Sequence, residues 1–219
     1  MRKPILCLVL DRSAAKGDLL QGVAAAVAGG VDWVQVRERG LEGAELLAFA
    51  EAAAGAARDA AARAGHALRV IVNRRADVAL AIGAQGVHLG FDAVGTEVAR
   101  RLLGPDALLG VSCHAPEEVR AAVGASYAHL APIFPPLSKA ASRPALGLGA
   151  LRAAAGTRPV LAQGGVEAGN AGACLEAGAA GIAVTGAVLM ADDPGAAAAA
   201  LRAALDTATS HPGTGAPKR

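Results

Sequence analysis

Aromatic residues make up only 2% of this 219-residue chain, one Trp, one Tyr and three Phe. The formal net charge is only +2. With neither a basic face nor a row of stacking side chains, nucleic acid is not an expected partner. Cysteine is scarce too. Cys7, Cys113 and Cys174 are odd in number, far apart and outside any CxxC pattern, which argues against a disulfide framework and a structural zinc site and fits a reduced, cytoplasmic setting. Long hydrophobic runs are missing as well: the positive mean hydropathy comes mostly from alanine, and Gly, Pro or charge soon interrupts each apolar run, so no membrane span is expected. The opening MRKPILCLVLDRS has the basic start and short apolar run of a signal peptide. Asp11 and Arg12 end that run too early, and it reads as a first core strand. No linker or change of composition divides the chain, so residues 1–206 are taken as one domain. The Thr-, Gly- and Pro-rich tail, 207–219, is expected to be disordered.

What is present is a regular alternation. With 53% hydrophobic residues, a chain of this length can remove roughly 70% of its extended surface from water. Short Val/Ile/Leu-rich runs near 4–10, 33–37, 69–73, 86–89, 108–112, 127–133, 159–163 and 181–185 read as strands. Ala-rich segments near 17–29, 42–64, 76–83, 94–103, 116–124, 148–155, 168–177 and 193–206 read as helices. Parallel strands need crossover helices, and closure removes sheet edges, so eight such pairs predict an α/β (β/α)8 TIM barrel. A doubly wound open sheet is the runner-up.

Active sites of such barrels lie at the C-terminal strand ends, often with a phosphate held after strands 7 and 8. Both places carry glycine here. AQGGVEAGNAG offers Gly164 and Gly165 ahead of a helix N-terminus, and AVTGAVL offers Val184, Thr185 and Gly186. One glycine turn would read as a turn only; two on adjacent final strands predict a phosphate site. In WVQVRERG, alternation puts Gln35 and Arg37 on one face, and a charge on that face needs a partner or ligand. Arg39 shares that expectation, although Glu38 and Arg39 also suit a solvated loop pair. His114, at the end of the fifth strand in GVSCHAPEEV, is placed to exchange protons near neutral pH, or simply to stand beside a helix cap. His88 lies inside the fourth strand and reads as packed or supporting, and Cys113 as core-facing. The Pro-broken segment APIFPPLSKAASRPALG resembles a flap over the site, with Ser138 and Lys139 in it; Arg143 suits a surface loop equally well.

Together VQVRERG, VNRRADVALAIGAQGVHLG, GVSCHAPEEV, APIFPPLSK, LAQGGV and GIAVTGAVL, in order from about Ile5 to Leu205, resemble the thiamine phosphate synthase/TenI family. The resemblance implies the barrel fold and a reaction joining a pyrimidine diphosphate to a thiazole phosphate with Mg²⁺. In the synthase pattern, an Asn-Asp pair after strand 3 and a Gly-Gln-x-Asp run after strand 4 supply the two metal aspartates. Here Asn73 is followed by Arg74. In GFDA, Phe91 falls at the glutamine and Ala93 at the second aspartate, leaving Asp92 one position early. Mg²⁺ takes oxygen ligands, and a guanidinium repels it. Pro136 also replaces the flap threonine. The TenI branch, with Arg-Glu-Arg after strand 2, no metal aspartates and a histidine after Ser-x, is the closer match.

That branch includes thiazole tautomerases, so the expected activity is a metal-independent tautomerase acting on a thiazole carboxylate phosphate. His114 would be its acid/base. Gln35, Arg37, Arg39, Asn73, Arg74, Ser138 and Lys139 would bind substrate, with no metal and no cofactor. The alternatives are a divergent thiamine phosphate synthase, requiring Mg²⁺ through Asp92 or another carboxylate, and a non-catalytic binder of a phosphorylated ligand. The partners expected are a small phosphorylated thiazole and, for assembly, a second copy of the chain in a homodimer.

Overall fold

The computed structural model describes residues 3–135 and 143–210. Eight parallel strands close into a barrel in sequence order: β1 (Ile5–Val9), β2 (Trp33–Val36), β3 (Arg69–Asn73), β4 (Gly86–Leu89), β5 (Leu108–Cys113), β6 (Tyr127–Leu130), β7 (Val160–Gln163) and β8 (Gly181–Val184). The helices alternate with them: α1 (Leu19–Ala28), α2 (Gly43–Ala64), α3 (Ala76–Ala81), α4 (Thr96–Leu103), α5 (Pro116–Ala121), α6 (Gly147–Ala154), α7 (Ala168–Glu176), α8 (Gly186–Leu189) and α9 (Pro194–Ser210). Two short pieces have no counterpart among the sequence expectations: a 3₁₀ turn at Arg12–Ala14 and the four-residue α8. Neither is long enough to show a helical period. α9 continues through Ser210, so residues 207–210 are helical rather than a disordered tail. The rest of the tail, 211–219, lies outside the described residues.

Local signals account for the helix ends. Asp18 caps α1 by accepting from the N–H groups of Leu20 and Gln21, at 2.9 and 3.1 Å. α2 stops at Gly65, whose φ of +70° suits a residue without Cβ. Its buried positions, Leu46, Ala50, Ala53, Ala54, Ala57, Ala60 and Ala61, recur at three- and four-residue steps, so alanine supplies the close-packed face.

Alternation along the strands sorts the core into two layers. Val34, Val36, Val70, Val72, Val87, Leu109, Leu130 and Ile182 face the helices. Cys7, Val9, Trp33, Ile71, Tyr127, Leu161 and Ala183 fill the barrel, where the Trp33 and Tyr127 rings meet edge to face at 5.0 Å. The same inward parity continues upward into polar residues. Gln35 pairs in register with Ile71, Asn73 with His88, Ser112 with His129 and Gln163 with Ala183. The barrel is therefore apolar at its floor and polar toward the C-terminal strand ends, and that gradient positions the site. Among the described residues no helix is long and apolar enough to cross a membrane.

Candidate active site

A cavity of about 770 Å³ opens at the C-terminal ends of the strands, within the range of small-molecule sites. Val9, Gln35, Asn73, Ser112 and Gln163 line it from the barrel; Arg37, Arg39, Arg74 and Arg143 line it with charge; Phe91, His114, Gly164 and Thr185 stand at its rim. A second hollow of about 490 Å³ lies between Ala15–Gly17 and the start of α9, away from the strand ends. Its charged groups are already engaged, Asp18 in capping α1 and Lys16 with Asp192.

Arg37 continues the inward parity of Trp33 and Gln35. Its Nη1 lies 3.0 Å from Asp11 Oδ2, with both side chains about four-fifths covered. Burial and the neighbouring Arg39 charge shift the Arg37 pKa down while Asp11 opposes them. Desolvation pushes the Asp11 carboxyl up, but hydrogen bonds from Ser13 and the charge of Arg37 outweigh it and hold the pKa below the ordinary value. Glu38 and Arg39 both lie in the loop after β2, with Arg39 exposed. Glu38 accepts from Arg12 Nε at 2.5 Å, whereas Arg39 lines the cavity.

At the ends of β3 and β4, Arg74 Nη2 lies 2.6 Å from Asp92 Oδ2. The Mg²⁺ that the resemblance implies does not fit these residues. Asp11 and Asp92 are the only carboxylates on the cavity wall among the described residues, and each faces a guanidinium. No three His, Cys, Asp or Glu side chains there form a metal-holding group. A hard cation needs several free oxygens, and this arrangement provides positive charge instead.

His114 follows β5. Its backbone N–H donates to Glu118 Oε2 at 2.6 Å, and its ring Nδ1 lies 2.6 Å from the carbonyl oxygen of Ala131. A carbonyl only accepts, so Nδ1 carries a proton, and in the neutral ring Nε2 holds the lone pair. The Phe91 ring stacks on the imidazole at 5.1 Å between centroids, its other face exposed.

Beneath them lies a buried polar column. His88 Nε2 is 2.9 Å from Ser112 Oγ and Nδ1 is 3.3 Å from the Tyr127 hydroxyl. Gln163 Oε1 accepts from His129 Nδ1 at 3.1 Å. Burial, with nearby His129 and Arg37 charge, lowers the His88 pKa well below its usual value; burial takes His129 down to about 4, its bond to Gln163 opposing. Both rings are neutral near pH 7. The column requires Gly110: a Cβ there would lie 2.2 Å from Tyr127 Cζ. Cys113 is buried, and that burial raises its thiol to about 11.

The two glycine turns differ from expectation. Gly164 and Thr185 line the cavity, but Gly165, Val184 and Gly186 do not. A Cβ on Gly165, at φ +61°, would lie 2.2 Å from Pro135 O, so its own chain already fills the space beside it. α7 begins three residues later, and Asn170 occupies that turn, accepting from Glu167 N–H and donating to Gly165 O, both at 2.9 Å. Thr185 caps α8 without a side-chain bond. Gln35, Arg37, Arg39, Asn73, Arg74, His114, Gly164 and Thr185 thus share one cavity, and Ser138 and Lys139 lie outside the described residues. Asp11, Ser112 and Gln163 were missed. Each sits two residues beyond an inward apolar or glycine position, a parity signal that could have found them.

Residues 6–188 match the family described as thiamine monophosphate synthase. A thiamine-phosphate synthase of Mycobacterium tuberculosis is 43% identical over 93% of this chain and 95% of its own. A putative thiamine-phosphate synthase of Geobacter sulfurreducens is 44% identical over 65% of this chain and 66% of its own. Among solved structures, a thiamine phosphate pyrophosphorylase from Pyrococcus furiosus superposes with a TM-score of 0.80 at 30% identity, covering 94% of this chain and 97% of that one. The chain belongs to the thiamine phosphate synthase family of thiamine-biosynthesis enzymes.

Proposed function

We propose that this member of the family moves a proton on a thiazole carboxylate phosphate without a metal, as a thiazole tautomerase. The observation carrying this reading is His114: its Nδ1 is committed to Ala131 O, which leaves Nε2 as a base at the rim of an arginine-lined cavity. In the forward step, Nε2 takes a proton from the sp3 carbon of the non-aromatic ring and the imidazolium returns one to the exocyclic carbon double-bonded to that ring, which leaves the ring aromatic. Atoms and charge balance, and no leaving group departs. The neighbouring guanidiniums favour the enolate-like charge that develops when the ring loses its proton. Gly164 and Thr185 are the proposed phosphate contacts. Incubation with the carboxylated thiazole phosphate in EDTA, followed by proton NMR in D₂O, should give the aromatic tautomer; an unchanged spectrum refutes the reading.

A second reading is the transfer itself, joining a pyrimidine diphosphate to a thiazole phosphate. The names of the relatives support it more than they support tautomerisation, since the 43% identity to the Mycobacterium tuberculosis protein extends over nearly the whole chain. Against it stands the Arg74–Asp92 pair where the metal carboxylates would be. If neither reaction occurs while phosphorylated ligands still bind, the chain is a binder.

A further inference from the structure

We infer that Arg74 forms a second, metal-free subsite for an oxyanion of the substrate, with Asp92 holding the guanidinium in place until a ligand carboxylate or phosphate replaces it. This deepens the proposed function, resting on the strand-end cavity as the substrate site. The cavity wall carries four guanidiniums and two carboxylates. Arg37 and Arg74 each have a carboxylate partner, whereas among the described residues Arg39 and Arg143 form no ion pair. The surplus calls for a ligand bearing more than one negative charge.

The two ion pairs are not equivalent. Arg37 and Asp11 have side chains only 22% and 21% exposed, but Arg74 and Asp92 are 44% and 64% exposed. An exposed pair contributes little to stability, so a ligand anion can displace Asp92 at little cost, while Arg37–Asp11 stays shut. Arg74 is also the one non-glycine residue with positive φ among those described, at +66°. Its N–H is bonded to His88 O at 2.8 Å, which fixes that conformation at the end of β3. Backbone held in this region concentrates at ligand-binding positions. A planar guanidinium fork suits a carboxylate or phosphate in two-point contact. The ligand class is therefore a small ring carrying a phosphate at one end and a second planar oxyanion at the other.

The test uses phosphonocarboxylates of increasing chain length, each beside the alkylphosphonate that lacks the carboxylate, titrated calorimetrically into the full chain in EDTA. At least one chain length should bind about tenfold more tightly than its alkylphosphonate, the size of one charge-assisted hydrogen bond. Arg74→Asn keeps a residue that tolerates left-handed backbone; it should abolish that gain, so that each phosphonocarboxylate binds no more tightly than its alkylphosphonate. Asp92→Asn should keep or enlarge it. No gain at any length, a gain surviving Arg74→Asn, or a gain appearing only with Mg²⁺ and lost in Asp92→Asn would each overturn the inference. Because binding is read without turnover, a chain inactive as a tautomerase can still pass this test, and an active one can fail it.

Discussion

The Nδ1 proton of His114 is held by the carbonyl oxygen of Ala131, 2.6 Å away just beyond β6. One backbone acceptor thereby selects the tautomer of a side chain on the neighbouring strand. A general acid/base typically contributes about 10²–10⁴-fold to rate, so His114→Asn should lower tautomerisation by that range. Alkylphosphonate affinity and the melting temperature should stay near wild type. Normal turnover by the variant would remove His114 from the chemistry, and joint loss of folding and binding would make it structural.

The polar column makes a stability prediction at Gly110. A methyl group there would collide with Tyr127 and come within 2.6 Å of His88 Nδ1. Overpacking of this kind costs typically about 1–3 kcal/mol, so Gly110→Ala should lower the urea midpoint accordingly. An unchanged midpoint would show that the barrel interior has slack that these contacts do not reveal.

Acid should weaken the fold through the same column. His129 titrates near 6.5 when unfolded but is held down to about 4 in the fold, chiefly by burial. Between those values the unfolded chain binds more protons, so its contribution is complete above about pH 6.5 and is lost as pH falls toward 4. The shift corresponds to something on the order of 3 kcal/mol. His88, also lowered, adds to the same acid-side loss. Urea unfolding from pH 8 to 4.5 should show stability declining below about pH 6.5, with a flatter decline in His129→Gln; parallel curves would contradict the assignment.

Gly165 should prove a folding position before a binding one. Its φ of +61° and the closeness of Pro135 O and Phe134 mean that Gly165→Val strains the turn and pushes on the loop after β6. A drop of at least about 2 kcal/mol in stability is expected from combined strain and clash. Weakened ligand binding with unchanged stability would restore a direct phosphate role.

These positions also show what was legible before the fold was seen. The eight strands were readable because Val, Ile and Leu cluster in short runs separated by Ala-rich helices; seven fall within the expected spans, and β5 extends one residue past its own. Arg37 was readable through alternation from Trp33. Asp11 obeys the same alternation after Cys7 and Val9, but it looked like the polar end of a strand, because its partner is 26 residues away. The difference between Gly164 and Gly165 was invisible, since it depends on where the loop after β6 returns. The pairing of Arg74 with Asp92 needed two loop ends in space, although the loss of carboxylates was plain from the residues alone.

The most direct test of a metal-free proton-transfer enzyme is a paired assay of one preparation. Thiamine phosphate formation from pyrimidine diphosphate and thiazole phosphate is measured beside tautomerisation of the carboxylated thiazole phosphate, each in EDTA and across a Mg²⁺ titration. The account predicts tautomerisation indifferent to Mg²⁺, with little or no thiamine phosphate at any concentration. Robust Mg²⁺-dependent thiamine phosphate formation, with no tautomerisation in EDTA, would contradict it and assign the chain to the transfer reaction.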